Sequence, residues 1–233
     1  MRIKTVISIL LAMVILSVSA CTTEEPETPP TPTPTPAQYL EKAAKAMADV
    51  TTVQFKLTRD GEPLVLDSSL GALFISATGE YEAPDSVHAN VKADISGNII
   101  ALDFLWLPDG VYMTNPLTGL YMQQPLEVPL DPSMLFDPQV GLSRILVSRI
   151  EAPEYIGLEQ IEGQDTIHLR GLTDAETVTI ILPIEIAGQF TLDLWLDASS
   201  NQIVRLQITE ESDDTTTMDF IGYGDPVDIP SPE

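Results

Sequence analysis

VHANVKADISGNIIALDFLWLPDGVYMT, residues 87–114, carries the reading of the fold. Val87, Ala89, Val91 and Ala93 alternate with His88, Asn90 and Lys92, the period of a strand with one apolar and one polar face. Ile99 to Leu107 is a second strand, with Leu102, Phe104 and Trp106 on one side. Pro108-Asp109-Gly110 closes it as a turn, and Val111 to Thr114 starts again. Met113 continues the same face, and Met122 extends it in the run Leu120 to Gln123. Strands joined by such short turns are antiparallel neighbours.

Outward from this block the same period recurs. Val53, Phe55 and Leu57 alternate with Gln54 and Lys56, and Asp60-Gly61 reads as a hairpin turn. Leu70 to Tyr81 precedes the quoted block; Tyr155 to Ile161, Thr166 to Arg170, Thr191 to Leu196, Gln202 to Ile208 and Thr215 to Phe220 follow it. Helical spacing is rare. Ala37 to Asp49 places Tyr39, Leu40, Ala43, Ala44 and Met47 on one face, and a second helix is expected around Pro132 to Ser148. Ala175 to Leu182 suits a strand by its β-branched residues and a short helix by its Asp174 start. The sum is an α+β domain with an antiparallel sheet of about ten strands. A sheet that large must curl or close, and its helices must cover the apolar side. The space between sheet and helices is then filled either by side chains or by a ligand.

The front of the chain is of another kind. Arg2 and Lys4 precede an apolar run from Val6 to Leu16, and Val18-Ser19-Ala20 leads into Cys21, the single cysteine. That order predicts a lipoprotein signal over 1–20, acylation of Cys21, and anchoring on the extracytoplasmic face of the cell membrane. The alternative is an ordinary signal peptide or a membrane anchor with an incidental thiol, and the apolar run is short for a span of roughly 20 residues. Thr22 to Ala37 is crowded with Pro and Thr and reads as an extended tether, which at ~3.1 Å per residue reaches roughly 50 Å. The expected division is 1–20 signal, 21–37 acylated Cys and tether, and 38–233 domain. Cys21 leaves no thiol for a disulfide framework, so an apolar core must hold the domain.

Charge excludes partners. The 233-residue chain carries a formal charge of −24. Without residues 1–20, nine basic residues face 35 acidic ones and the charge becomes −26. Nucleic acid and an anionic bilayer surface both repel such a protein.

Catalytic chemistry is hard to find. No GxSxG elbow, HExxH helix, phosphate-binding glycine loop or CxxC pair is present. His88 and His168 lie 80 positions apart, at outward strand positions. Glu210-Glu211-Ser212-Asp213-Asp214 lacks the spaced ligands of a calcium loop and reads as a solvated hairpin tip. No enzyme activity, metal or cofactor is expected.

The chain resembles the mycobacterial LppX/LprG-type lipoproteins, whose half-barrel fold is related to the LolA class of lipoprotein carriers. The resemblance rests on Cys21, the opening helix followed by Val53 to Lys56, and Asp109-Gly110 leading into Val111-Tyr112. Its strongest block is Asp137-Pro138-Gln139-Val140-Gly141-Leu142 with Ile145-Leu146 behind it. Gly157 to Thr166 and Leu194-Trp195-Leu196-Asp197 complete the order. It implies a curved half-barrel whose helices cover the concave face and enclose the acyl chains of a lipid or glycolipid. An envelope transporter is the further partner implied.

A carrier needs apolar walls and small residues that leave room, since acyl burial stabilises by roughly 0.8 kcal/mol per CH₂. Val87, Ala89, Val91 and Ala93 supply the small face; Leu102, Phe104, Trp106, Met113 and Met122 supply the rest of that wall. Leu135, Leu142, Ile145 and Leu146 form a helical core stripe that would also wall a cavity mouth. Plain core is the competing reading for each of these, and a surface module with a filled core is the competing function. An envelope hydrolase is a third, for which no converging polar pocket is visible.

Overall fold

The structure, a computed structural model, describes residues 34–68, 70–124, 131–182 and 187–232. Cys21, the signal and the tether up to Thr33 lie outside the described residues.

The first helix, α1 (Pro36–Ala48), begins one residue earlier than its periodicity predicts. Thr35 caps it: its hydroxyl accepts from the Gln38 N–H at 3.3 Å, and the Gln38 side chain accepts from the Thr35 N–H at 2.9 Å. Pro36 fits the first helical position because no donor is needed there. The strands follow as β1 (Thr52–Asp60), β2 (Val65–Asp67), β3 (Ala72–Glu82), β4 (Ser86–Ile95), β5 (Asn98–Leu107), β6 (Gly110–Thr114) and β7 (Tyr121–Gln123). After a 3-10 turn (Pro132–Phe136) and α2 (Leu142–Ser148) come β8 (Glu151–Ile161) and β9 (Gln164–Asp174). The chain closes with α3 (Ala175–Ile181), β10 (Gln189–Asp197), β11 (Ile203–Thr209) and β12 (Thr215–Ile221).

Among the described residues, all twelve strands form one antiparallel sheet in the order β7-β6-β5-β4-β3-β1-β12-β11-β10-β9-β8, with β2 on β3. It is an open half-barrel with β7 and β8 at its ends. The additional strand is β2, too short for its period to register in sequence. Asp60-Gly61 does not make the expected hairpin. β1 pairs with β3 and β12, while β2 pairs with β3.

The helix expected over Pro132 to Ser148 is broken in two. Pro138 cannot continue a helical ladder. At Gly141 a Cβ would fall 2.4 Å from the Leu135 carbonyl oxygen and 2.5 Å from that of Met134, so the chain reverses on a glycine. Ala175–Ile181 resolves as a helix because the Asp174 carboxylate accepts from the Thr177 N–H at 2.9 Å.

The core lies between the helices and the inner face of the sheet. Leu40, Ala43 and Met47 of α1, Leu135 and Phe136, Leu142, Ile145 and Leu146 of α2, and Val178 and Ile181 of α3 join it. Phe136 stacks on Tyr81 of β3 at 4.1 Å and meets Phe220 of β12 edge-on at 6.3 Å.

Candidate functional site

Residues directly opposite in an antiparallel ladder point to the same side of the sheet. The rungs Val87–Trp106, Ala89–Phe104 and Val91–Leu102 join β4 to β5. Phe104–Met113 carries that face to β6, and Met113–Met122 carries it to β7. In the other direction Tyr81–Val87 and Gly79–Ala89 carry it to β3, whose Tyr81 lies under Phe136 in the core. All nine strand residues read from the sequence therefore line one side, the inner one. Ala93 is among them, opposite Ile100.

Their burial falls towards the β7 end. Val87, Ala89, Ala93 and Trp106 are buried, Val91, Leu102, Phe104 and Met113 are half-buried, and Met122 is 48% exposed. The helices pack chiefly against β4, β8, β9 and β10. Leu135, Leu142 and Leu146 are buried in that covering layer. The small side chains come together with a cause. Gly79 lies opposite Ala89, and a Cβ there would meet the Phe55 ring at 2.4 Å. Phe55 thus lies over a shallow patch of glycine and alanine, while Val91 and Leu102 stand beyond it, less covered.

Two clefts lie elsewhere. One of about 330 Å³ sits where the β8–β9 and β10–β11 turns meet the end of β12, lined in part by Gln164, Asp197, Gln202 and Asp219. Another of about 390 Å³ is bordered by Gln139, Arg144, Arg149 and Asp174. Neither includes any of the nine strand residues.

The outer face holds a polar group that sequence reading missed. His168 is outward, as expected, yet only 5% exposed. Its Nδ1 lies 2.8 Å from Glu159 of β8, and its Nε2 lies 2.6 Å from the buried Asp193 of β10. Its ring stacks on Trp195 at 4.2 Å, and the indole N–H donates to Glu159 at 2.7 Å. Arg170 donates to both Asp193 oxygens, at 2.8 and 3.2 Å. The Trp195 and His168 hydrogen bonds hold the Glu159 carboxyl below the usual carboxylate range, against burial that raises it. The network crosses three strands with its carboxylates satisfied, and it holds no hydroxyl or thiol nucleophile. Its partners are nine and 25 positions from His168, so only the strand register could reveal it.

The acidic run at the β11–β12 tip is not simply solvated. Arg59 of β1, its side chain 6% exposed, pairs with Glu210 and lies 3.6 Å from Asp214. Hydrogen bonds from the Glu62 N–H and Ser212 depress the Asp214 carboxyl.

Comparison with known proteins places these features among lipoproteins. The LppX_LprAFG lipoprotein model matches residues 35–229. The lipoarabinomannan carrier protein LprG of Mycobacterium tuberculosis is 24% identical over 194 residues, spanning 81% of this chain and 82% of that one. The crystal structure of LprF from Mycobacterium bovis superposes with a TM-score of 0.70 at 23% identity, over 87% of this chain and 99% of that one. LppX of Mycobacterium tuberculosis gives 0.60 at 19% identity, over 84% and 98%.

Proposed function

Because the chain belongs to the LppX_LprAFG lipoprotein family, we propose that it is a lipid-anchored carrier. It binds the acyl chains of a lipid or glycolipid on the inner face of its half-barrel and ferries them within the cell envelope. One observation carries this reading. The inner face runs unbroken and apolar over β4 to β7, and its cover thins where Val91, Leu102, Phe104, Met113 and Met122 lie. Hydrocarbon laid along it would exchange contact with water for contact with apolar side chains, at roughly 0.8 kcal/mol per CH₂ before entropy losses. Met113 and Met122 suit chains of varied shape, since their thioethers adapt to irregular gaps.

The carrier named for lipoarabinomannan among the relatives favours a glycolipid over a free fatty acid. Cys21 supplies the anchor on the extracytoplasmic face of the cell membrane, and an envelope transporter supplies or receives the cargo. The reading is non-catalytic: it uses burial and release and no bond-making group. A filled-core surface module is the competitor, favoured by the burial of Val87, Ala89 and Trp106 within the core.

The deciding experiment is organic extraction of the protein purified from its own membranes, followed by lipid mass spectrometry. Stoichiometric lipid is expected, and a Cys21→Ser form is expected to leave the membrane fraction. Lipid-free protein from both preparations would refute the carrier.

A further inference from the structure

Resting on the carrier reading, we propose that the β6–β7 hairpin is the lip that the domain sets against an uncharged lipid surface when cargo enters or leaves. Gly110 to Leu126 contains no charged residue, in a chain where 20% of residues are charged and the net charge is −24. At the tip of that hairpin Leu117 is 94% exposed and Leu120 is 62% exposed.

The tip is built and held. The Asn115 N–H donates to the Leu120 carbonyl at 2.8 Å, and the Gly119 N–H donates to the Asn115 carbonyl at 2.8 Å. The Asn115 side chain accepts from the Leu117 and Thr118 N–H groups at 2.9 and 3.3 Å. Gly119 takes a φ of +70°, a left-handed conformation that glycine adopts at no steric cost. With its backbone groups engaged by the turn itself, the tip can enter a less polar medium without leaving those donors unpaired.

Continuity and charge identify the occupant. Met122 lies two residues after the exposed Leu120 and joins the inner face through Met113 and Phe104, so a chain crossing the lip meets apolar contact along it. A protein partner would ordinarily be read by charge as well as by apolar contact, and this hairpin offers no charge. The acidity of the chain repels an anionic bilayer and leaves a zwitterionic or glycosylated surface accessible. Exposed leucines beside an apolar face match interfacial insertion.

The test uses the full lipoprotein reconstituted in phosphatidylcholine vesicles. Leu117→Cys carries an environment-sensitive dye, Ser200→Cys at the opposite end of the sheet is the control, and the labelled unsubstituted chain is the blank. Bromine-labelled acyl chains are expected to quench the dye at 117 and not at 200. Quenching is expected to weaken when phosphatidylglycerol replaces the neutral lipid, and to vanish when Leu120→Asp is added with the melting temperature unchanged. No quenching at 117, equal quenching at both positions, or quenching that needs other membrane proteins would overturn the lip. Lipid extracted from the same preparation separates the two readings. Bound lipid with an unquenched tip rejects the lip alone; its absence rejects the carrier.

Discussion

Asp197, at the end of β10, shows how a single carboxylate is set by its own loop. Burial pushes its carboxyl up, but hydrogen bonds from Ser199, Gln164 and the Ser200 N–H outweigh that and hold it far below the usual carboxylate range. A depressed folded-state value means that the ionised form supports folding. That support is complete above the ordinary aspartate value of about 3.9 and is lost as pH falls through the folded value. Asp197→Asn should therefore shrink the stability difference between about pH 7 and pH 3 in urea unfolding, where Asp titration dominates. An unchanged difference would refute the assignment. The residue scale was only partly legible in sequence. The outward position of His168 followed from its neighbours, but Glu159 and Asp193 reach it only through the register of β8, β9 and β10.

Elements ended where local chemistry ended them. Thr35 and Asp174 start α1 and α3 by capping, a signal that sequence carries. The break between the 3-10 turn and α2 is signalled in the sequence by Pro138, although the apolar spacing of Leu135, Leu142, Ile145 and Leu146 suits one continuous helix. Gly141 decides it, with no room for a Cβ against two backbone carbonyls. Gly141→Ala is expected to destabilise by about 1–3 kcal/mol, since backbone cannot yield as a side chain can. Gly157 of β8, where a Cβ meets nothing within 4 Å, is the control; there alanine should stay within about 0.5 kcal/mol. Chemical denaturation of the two variants distinguishes a local steric cause from a general loss of glycine.

At the scale of the whole molecule, the cover over the inner face separates two neighbouring positions on β4. Ala89 is buried opposite Gly79, in the patch where Phe55 lies close. Val91 is half-buried, opposite Ala77 and Leu102. Ala89→Trp is thus expected to overpack and destabilise by about 1–3 kcal/mol. Val91→Trp is expected to melt near the parent temperature and to lose lipid in extraction. Parent-like lipid content in a folded Val91→Trp protein would remove this face from the cargo path. By itself the sequence determined the class of the protein: period-two runs joined by short turns, one amphipathic helix before them, and only two further stretches of helical spacing. It also determined which residues within each strand share a side, because side chains alternate strictly along a strand; the pairing of β4 to β7 brought those sides together. Only the tertiary structure decided how far that side is covered. Covering depends on where the 3-10 turn and α2 come to rest on the sheet, and on which strands become neighbours across long stretches of chain, neither of which local periodicity encodes.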